Sequence, residues 1–238
     1  MRVLPLLLLV PLVGCVYVED LETDVASFTI DDAISQVVIR ADNGGVTVIG
    51  SGDAVSGELA MEWGGDAPEI DVWVEGQTAY VETRCAGWGP CVVEHALQVP
   101  EGASLLVELG DGVTSVRDVY GGVRIEADSG DVDLDRVGGM LEISTGAGAI
   151  NGSDLSSGQV YAETGAGDVD LWLIDAVDEI EIDTGSGAVD LAVPVGSYRV
   201  EVDTGSGDIQ LDNITVDQDA AARVQVSTGS GGVNIQGR

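Results

Sequence analysis

From Val123 onward, apolar and polar residues alternate in short runs separated by glycine turns. Val123, Ile125 and Ala127 are interleaved with Arg124 and Glu126, and after Asp128-Ser129-Gly130 the alternation resumes as Asp131-Val132-Asp133-Leu134. A period of two over such lengths marks strands with one covered face, and the glycine-bearing break marks a tight turn. The unit recurs six times, most clearly as Ile182-Asp183-Thr184-Gly185-Ser186-Gly187 and Val202-Asp203-Thr204-Gly205-Ser206-Gly207. Its apolar marker falls at Val132, Ile150, Val169, Val189, Ile209 and Val233, giving spacings of 18, 19, 20, 20 and 24. A unit of this length cannot bury its own apolar face. The pattern therefore predicts an all-β parallel β-solenoid of coils near 20 residues, each stacked on the one before, with the six markers in one buried ladder.

The same pattern begins earlier. Val37 through Val48 aligns without gaps to Val123 through Leu134, so the folded unit is expected to span residues 28–238. Between these copies, strand-like runs at Glu58–Trp63, Ile70–Glu75, Thr78–Thr83 and Val92–Val99 are broken by Gly64-Gly65-Asp66, Gly76 and Pro100. Gly130, Gly148, Gly167, Gly187, Gly207 and Gly231 hold one place in the turn, where positive φ is expected. Alternation places Thr145, Thr164, Thr184, Thr204 and Thr228 on the apolar side, where their hydroxyls are expected to bond turn backbone.

Ahead of the repeats, Met1-Arg2 leads into the apolar run Val3 to Val13 and then Gly14-Cys15. That run is too short to span a bilayer as a helix and reads as an export signal. Leu12-Val13-Gly14-Cys15 resembles the bacterial lipobox, which implies that residues 1–14 are removed and Cys15 is lipidated. Val16, rather than an aspartate, follows the cysteine, so the resemblance points to the outer membrane where the organism has one. Residues 15–27, with Glu19, Asp20, Glu22 and Asp24, read as an acidic tether.

The net charge is −33, with nine arginines and no lysine among 238 residues. Nucleic acid is not an expected partner, because phosphates require clustered cations. Disorder is not expected either, since 45% of the residues are hydrophobic. In an exported chain with Cys15 committed to lipid, Cys85 and Cys91 are expected to pair across the loop Ala86-Gly87-Trp88-Gly89-Pro90. The only histidine, His95, is placed beside a surface face, and neither a nucleophilic triad nor a four-ligand zinc site can be assembled around it.

Leu97-Gln98-Val99-Pro100-Glu101-Gly102-Ala103, followed by the Gly-Asp turns and the Thr-Gly-Ser-Gly series, resembles the bacterial putative-adhesin family built on a domain of unknown function. The resemblance covers roughly residues 37–235. It implies a β-solenoid-like repeat fold in a cell-envelope protein, and it brings no catalytic residues and no cofactor.

The expected function is that of a lipid-anchored, non-catalytic structural or adhesive envelope protein, held to the membrane by its lipid and facing a glycan or an envelope protein. One alternative is a polysaccharide-active β-helix enzyme, which needs two carboxyls in a cleft. The other is a self-associating scaffold, which needs an uncapped apolar end coil. Trp63, Trp73, Trp88 and Trp172 are candidate sugar platforms or core filler. Stacking consecutive copies places Glu163, Asp183 and Asp203 at one outward position and Asp170 and Asp190 at another. Carboxylates one rung apart would then call for screening or for weakly shared divalent cations.

Overall fold

The computed structural model describes residues 21–238; Cys15 and its lipobox lie outside the described residues. The described chain is a β-solenoid. Its first strands are β1 (Glu22–Ile30), β2 (Gln36–Asn43), β3 (Val46–Gly50), β4 (Val55–Trp63), β5 (Glu69–Glu75), β6 (Thr78–Arg84) and β7 (Cys91–Val99). The regular coils follow: β8 (Ser104–Asp111) with β9 (Thr114–Arg117), β10 (Val123–Ser129) with β11 (Val132–Asp135), β12 (Leu141–Thr145) with β13 (Ile150–Leu155), β14 (Gln159–Thr164) with β15 (Val169–Leu173), and β16 (Glu179–Thr184) with β17 (Val189–Val193). The chain then forms β18 (Ser197–Thr204), β19 (Ile209–Asp212), β20 (Thr215–Val216), β21 (Arg223–Thr228) and β22 (Val233–Gly237).

Each coil contributes one strand to each of two facing sheets. The first sheet runs β1-β4-β7-β3-β9-β11-β13-β15-β17-β22-β19, and the second runs β20-β18-β21-β16-β14-β12-β10-β8-β2-β6-β5. Alternation puts one apolar set per strand between the sheets, where Ile125, Ile143, Ile182, Leu171 and Ile235 join one continuous core. Each such side chain contributes about 1.5–3 kcal/mol by leaving water.

Rungs sit close because the turns carry no side chain. A Cβ on Gly187 would lie 1.9 Å from the Gly167 carbonyl oxygen, so the repeated glycine is required by rung-on-rung approach. Positive φ is not shared by the whole series; it occurs at Gly130, Gly148, Gly207 and Gly231. The threonines act as expected: Thr145, Thr164 and Thr184 hydroxyls donate to the carbonyls of Gly130, Gly148 and Gly167 at 3.1, 2.9 and 3.1 Å.

The tether reading is corrected at its C-terminal half. From Glu22 the chain is already strand β1, paired antiparallel to β4 with Glu22 opposite Trp63 and Ile30 opposite Val55. The first half of this edge strand, Glu22 to Val25, is exposed on both sides and so tolerates Glu22 and Asp24, and only from the middle onward do Ala26, Phe28 and Ile30 turn that same side inward.

The stacking order is also corrected. The coil of β21 and β22 lies between the coil of β16 and β17 and that of β18 and β19. The Gly187 N–H donates to Ser230 O at 2.9 Å and the Gly231 N–H to Ser206 O at 2.9 Å. The apolar ladder therefore runs Val132, Ile150, Val169, Val189, Val233 and then Ile209. The first five are at most 1% exposed, whereas Ile209, at the open end, is 46% exposed. Asp203 consequently does not stack on Asp183: Ser227 lies between them, as Gln225 lies between Glu181 and Glu201. The inserted coil is neutral at both positions, and so separates two acidic rungs that repel if brought together.

Candidate functional site

Cys85 and Cys91 are joined by a disulfide, with Cα atoms 5.8 Å apart. The clip closes the loop that carries Trp88, whose side chain is 96% exposed.

The surface placement of His95 is overturned: the residue is 2% exposed, on the inward side of β7 with Val93 and Leu97. Its Nε2 lies 3.0 Å from the Thr83 hydroxyl and its Nδ1 lies 3.3 Å from Gly45 O. A neutral ring protonated on Nδ1 satisfies both contacts, donating to the carbonyl and accepting from the hydroxyl. Burial pushes the imidazole pKa below its ordinary value, and the bond to Gly45 opposes that only in part. A neutral, saturated, buried histidine is a structural group.

Of the proposed cation positions, Glu163 faces Asp183 across β14 and β16, and Asp170 faces Asp190 across β15 and β17. Asp203 is separated from this series by the inserted coil. No group of three metal-ligating side chains comes together among the described residues.

The outer faces of the two sheets differ in chemistry. On the second sheet, a shallow groove of about 780 Å³ holds Arg40, Arg84 and Arg124 among carboxylates. Arg40 pairs with Glu108, Arg84 reaches Glu82 at 2.6 Å and Asp71 at 2.8 Å, and Arg124 reaches Glu142 at 2.7 Å. These exposed pairs each contribute little to stability, yet they order the face as alternating donors and acceptors.

On the first sheet, a cleft of about 500 Å³ lies over β9, β11, β13 and β15. Strand pairing aligns Ser115, Asp133, Asn151 and Asp170 in one row across it, and Arg117 with Asp135 and Ser153 in the next. Asn151 Nδ2 donates to Asp133 Oδ1 at 2.9 Å, Ser153 Oγ to Asp135 Oδ1 at 3.2 Å and Arg117 Nε to Asp135 Oδ2 at 2.9 Å.

The four tryptophans serve different purposes. Trp63 is 9% exposed and belongs to the core. Trp73 stacks on Tyr80 with centroids 4.7 Å apart. Trp88 tips the disulfide loop, and Trp172, 42% exposed, forms a wall of the cleft on the first sheet. Alternation in Val169-Asp170-Leu171-Trp172 already turns Asp170 and Trp172 outward. The local signal for the dip beside them is Gly152-Ser153-Asp154, where β13 bulges and Asp154 takes φ of 52°.

A model of the family described as Toastrack DUF4097 matches residues 102–236. Among solved structures, one described as a putative adhesin from Bacteroides fragilis NCTC 9343 is 13% identical, over 90% of this chain and 97% of its own, with a TM-score of 0.56. Another, described as a putative adhesin from Parabacteroides merdae ATCC 43184, is 13% identical over 90% of this chain and 96% of its own, with a TM-score of 0.47. At that identity the first likeness is one of fold. No curated protein matches the chain.

Proposed function

From the premise that the chain belongs to the Toastrack DUF4097 family, we propose that it is a non-catalytic adhesive or structural protein of the cell envelope, anchored through lipid on Cys15. The observation that carries this reading is the pair of long outer faces. Polar side chains recur on them rung after rung, as suits repeated weak contacts, whereas catalysis needs one cleft with perturbed groups. The names of the structural neighbours and the lipobox at Leu12-Val13-Gly14-Cys15 support the same setting. Its partner is then a glycan or an envelope protein, met at a distance from the anchoring membrane.

Expressed with its own leader in a bacterium, the protein should partition with membranes and incorporate a fatty-acid probe. Cys15→Ala should do neither, and a variant that does both as well as the parent removes the anchored reading. Cells bearing the protein should be retained on envelope-coated surfaces more than cells lacking it.

The open end coil favours self-association as a second reading. Ile209 and Leu211 occupy core-ladder positions yet are 46% and 42% exposed. The opposite end finishes in antiparallel strands, so the two ends are not complementary. Such association would close at a dimer and would not grow into a fibre. Its acidic rim, including Glu201, Asp203, Asp208 and Asp212, makes salt a promoter. Sedimentation that finds a monomer at both low and high salt eliminates this reading.

A further inference from the structure

We infer that the cleft on the outer face of the first sheet is a binding site for an uncharged pyranose glycan, with Trp172 as its stacking platform. This gives the adhesive reading a ligand class and rests on that reading only for its biological setting.

The site is built by a departure from the repeat. At β13 the register shifts between Gly152 and Leu155, so that Ser153 and Asp154 share the place opposite Trp172, while Gly152 faces inward, where a Cβ would meet Leu155 and Leu171. The rung that should fill the space beside Trp172 is thereby displaced, leaving a depression with an indole at one end. On the other side of β15 lie β17 and then β22, and from β22 the Arg238 guanidinium reaches the indole, its carbon 5.0 Å from the ring centroid. A cation on the ring restricts its rotation and fixes it as a wall.

The chemistry of the lining selects the ligand. A pyranose ring has an apolar face of C–H bonds and a rim of hydroxyls, each both donor and acceptor. An exposed indole suits the face. Asp133, Asp135 and Asp170 accept from hydroxyls, while Asn151 and Arg117 donate to them. The Asp170 carboxylate accepts no hydrogen bond among the described residues, although it sits in the cleft two residues from Trp172. Asp135 is already held by Arg117 and by Arg136 at 2.6 Å, so the accepting groups left over are anionic. An acidic polysaccharide would meet Asp133 and Asp170 as like charges. The polar rows run along the stack, perpendicular to the strands, which orients an extended chain of sugars from Ser115 towards Trp172.

Calorimetric titration of the purified full-length protein with cellohexaose, mannohexaose and chitohexaose, and with polygalacturonate as the acidic comparator, tests the site. Saturable binding is expected with at least one neutral hexasaccharide and not with polygalacturonate. Trp172→Ala should weaken it roughly tenfold, the worth of one aromatic stacking contact. Trp172→Phe should retain most of it, which guards against misfolding, and Trp73→Ala and Trp88→Ala should leave it unchanged. No saturable binding to any of the three neutral probes overturns the inference, as does binding that survives Trp172→Ala or that prefers polygalacturonate. Each of these failures leaves the Cys15 localisation test untouched.

Discussion

Between β8 and β17, coils stack in the order in which the chain makes them; beyond β17, the coil latest in sequence is inserted ahead of its predecessor. The two regions use the same apolar ladder and the same glycine turns, so neither feature distinguishes one order from the other. They differ in which outward side chains meet. In the regular region, neutral residues interrupt part of the acidic rows, with Ser144 between Glu126 and Glu163, and Asn151 between Asp133 and Asp170, while Glu163 against Asp183 and Asp170 against Asp190 are tolerated. At the end, the sequence-adjacent rungs would set Glu181 against Glu201 and Asp183 against Asp203. Two unit charges about 4.8 Å apart repel by ~0.9 kcal/mol even at the dielectric of water. Inserting Gln225 and Ser227 removes both contacts and leaves Arg223 3.3 Å from Glu179 and 3.9 Å from Glu201. Where the ladder and the turns fit either order, the observed one is the order without these two like-charge contacts.

The largest test of this comparison uses the ladder. Val189→Asp and Val233→Asp should each cost several kcal/mol, because each places a carboxylate between buried apolar rungs. Ile209→Asp should cost about 1 kcal/mol or less, since its side chain already meets water. Thermal melts of the three variants distinguish the two orders: if coils stacked consecutively, Ile209→Asp would be among the severe ones and Val233→Asp the mild one.

The next test restores the repulsion. Gln225→Glu with Ser227→Asp creates four like-charge contacts, with Glu181, Glu201, Asp183 and Asp203. It should lower stability by about 1–3 kcal/mol at low salt after allowance for solvent exposure. The loss should shrink as salt is raised, and a loss independent of salt would show that packing of the inserted coil is responsible instead.

The opposite end of the stack supplies a pH test. Burial holds the His95 pKa below that of the unfolded chain, so both states carry a neutral ring above about pH 6.5. As pH falls through that value, the unfolded chain takes up a proton that the folded chain refuses, and stability is lost. Acidification otherwise relieves the repulsion of an acidic protein, so the informative quantity is a difference. The melting temperature of His95→Gln should fall less, or rise more, than that of the parent between about pH 7.5 and pH 5.5. Parallel curves would mean that His95 is not held neutral.

The smallest effect concerns two carboxylate pairs on adjacent rungs that pair with no arginine among the described residues, Glu163 with Asp183 and Asp170 with Asp190. We propose that divalent cations are shared weakly across them. At fixed ionic strength, magnesium or calcium should then raise the melting midpoint slightly above that in sodium, and Asp170→Asn with Asp183→Asn should abolish the difference. Identical midpoints in all three salts leave ordinary screening as the explanation.

Much of the molecule was legible in its sequence because strands and turns are written locally. Period-two alternation fixes which side of each strand is covered, and a glycine every coil marks where backbone must approach backbone. The same alternation turns Trp172 and Asp170 outward, and the disulfide between Cys85 and Cys91 is expected from their short loop and from reading the leading apolar run as an export signal. His95 was legible as well, since it shares a phase with Val93, Leu97 and Val99, and the inward face of β1 could be read from Ala26, Phe28 and Ile30. Tertiary structure decided the rest. Alternation is a property of one strand and carries no information about which copy lies beside it, so near-identical rungs leave the stacking order open until the coils meet. The cleft at Trp172 likewise depends on a bulge in β13 and on neighbours 18 to 20 residues away along the chain, brought together only when the coils stack.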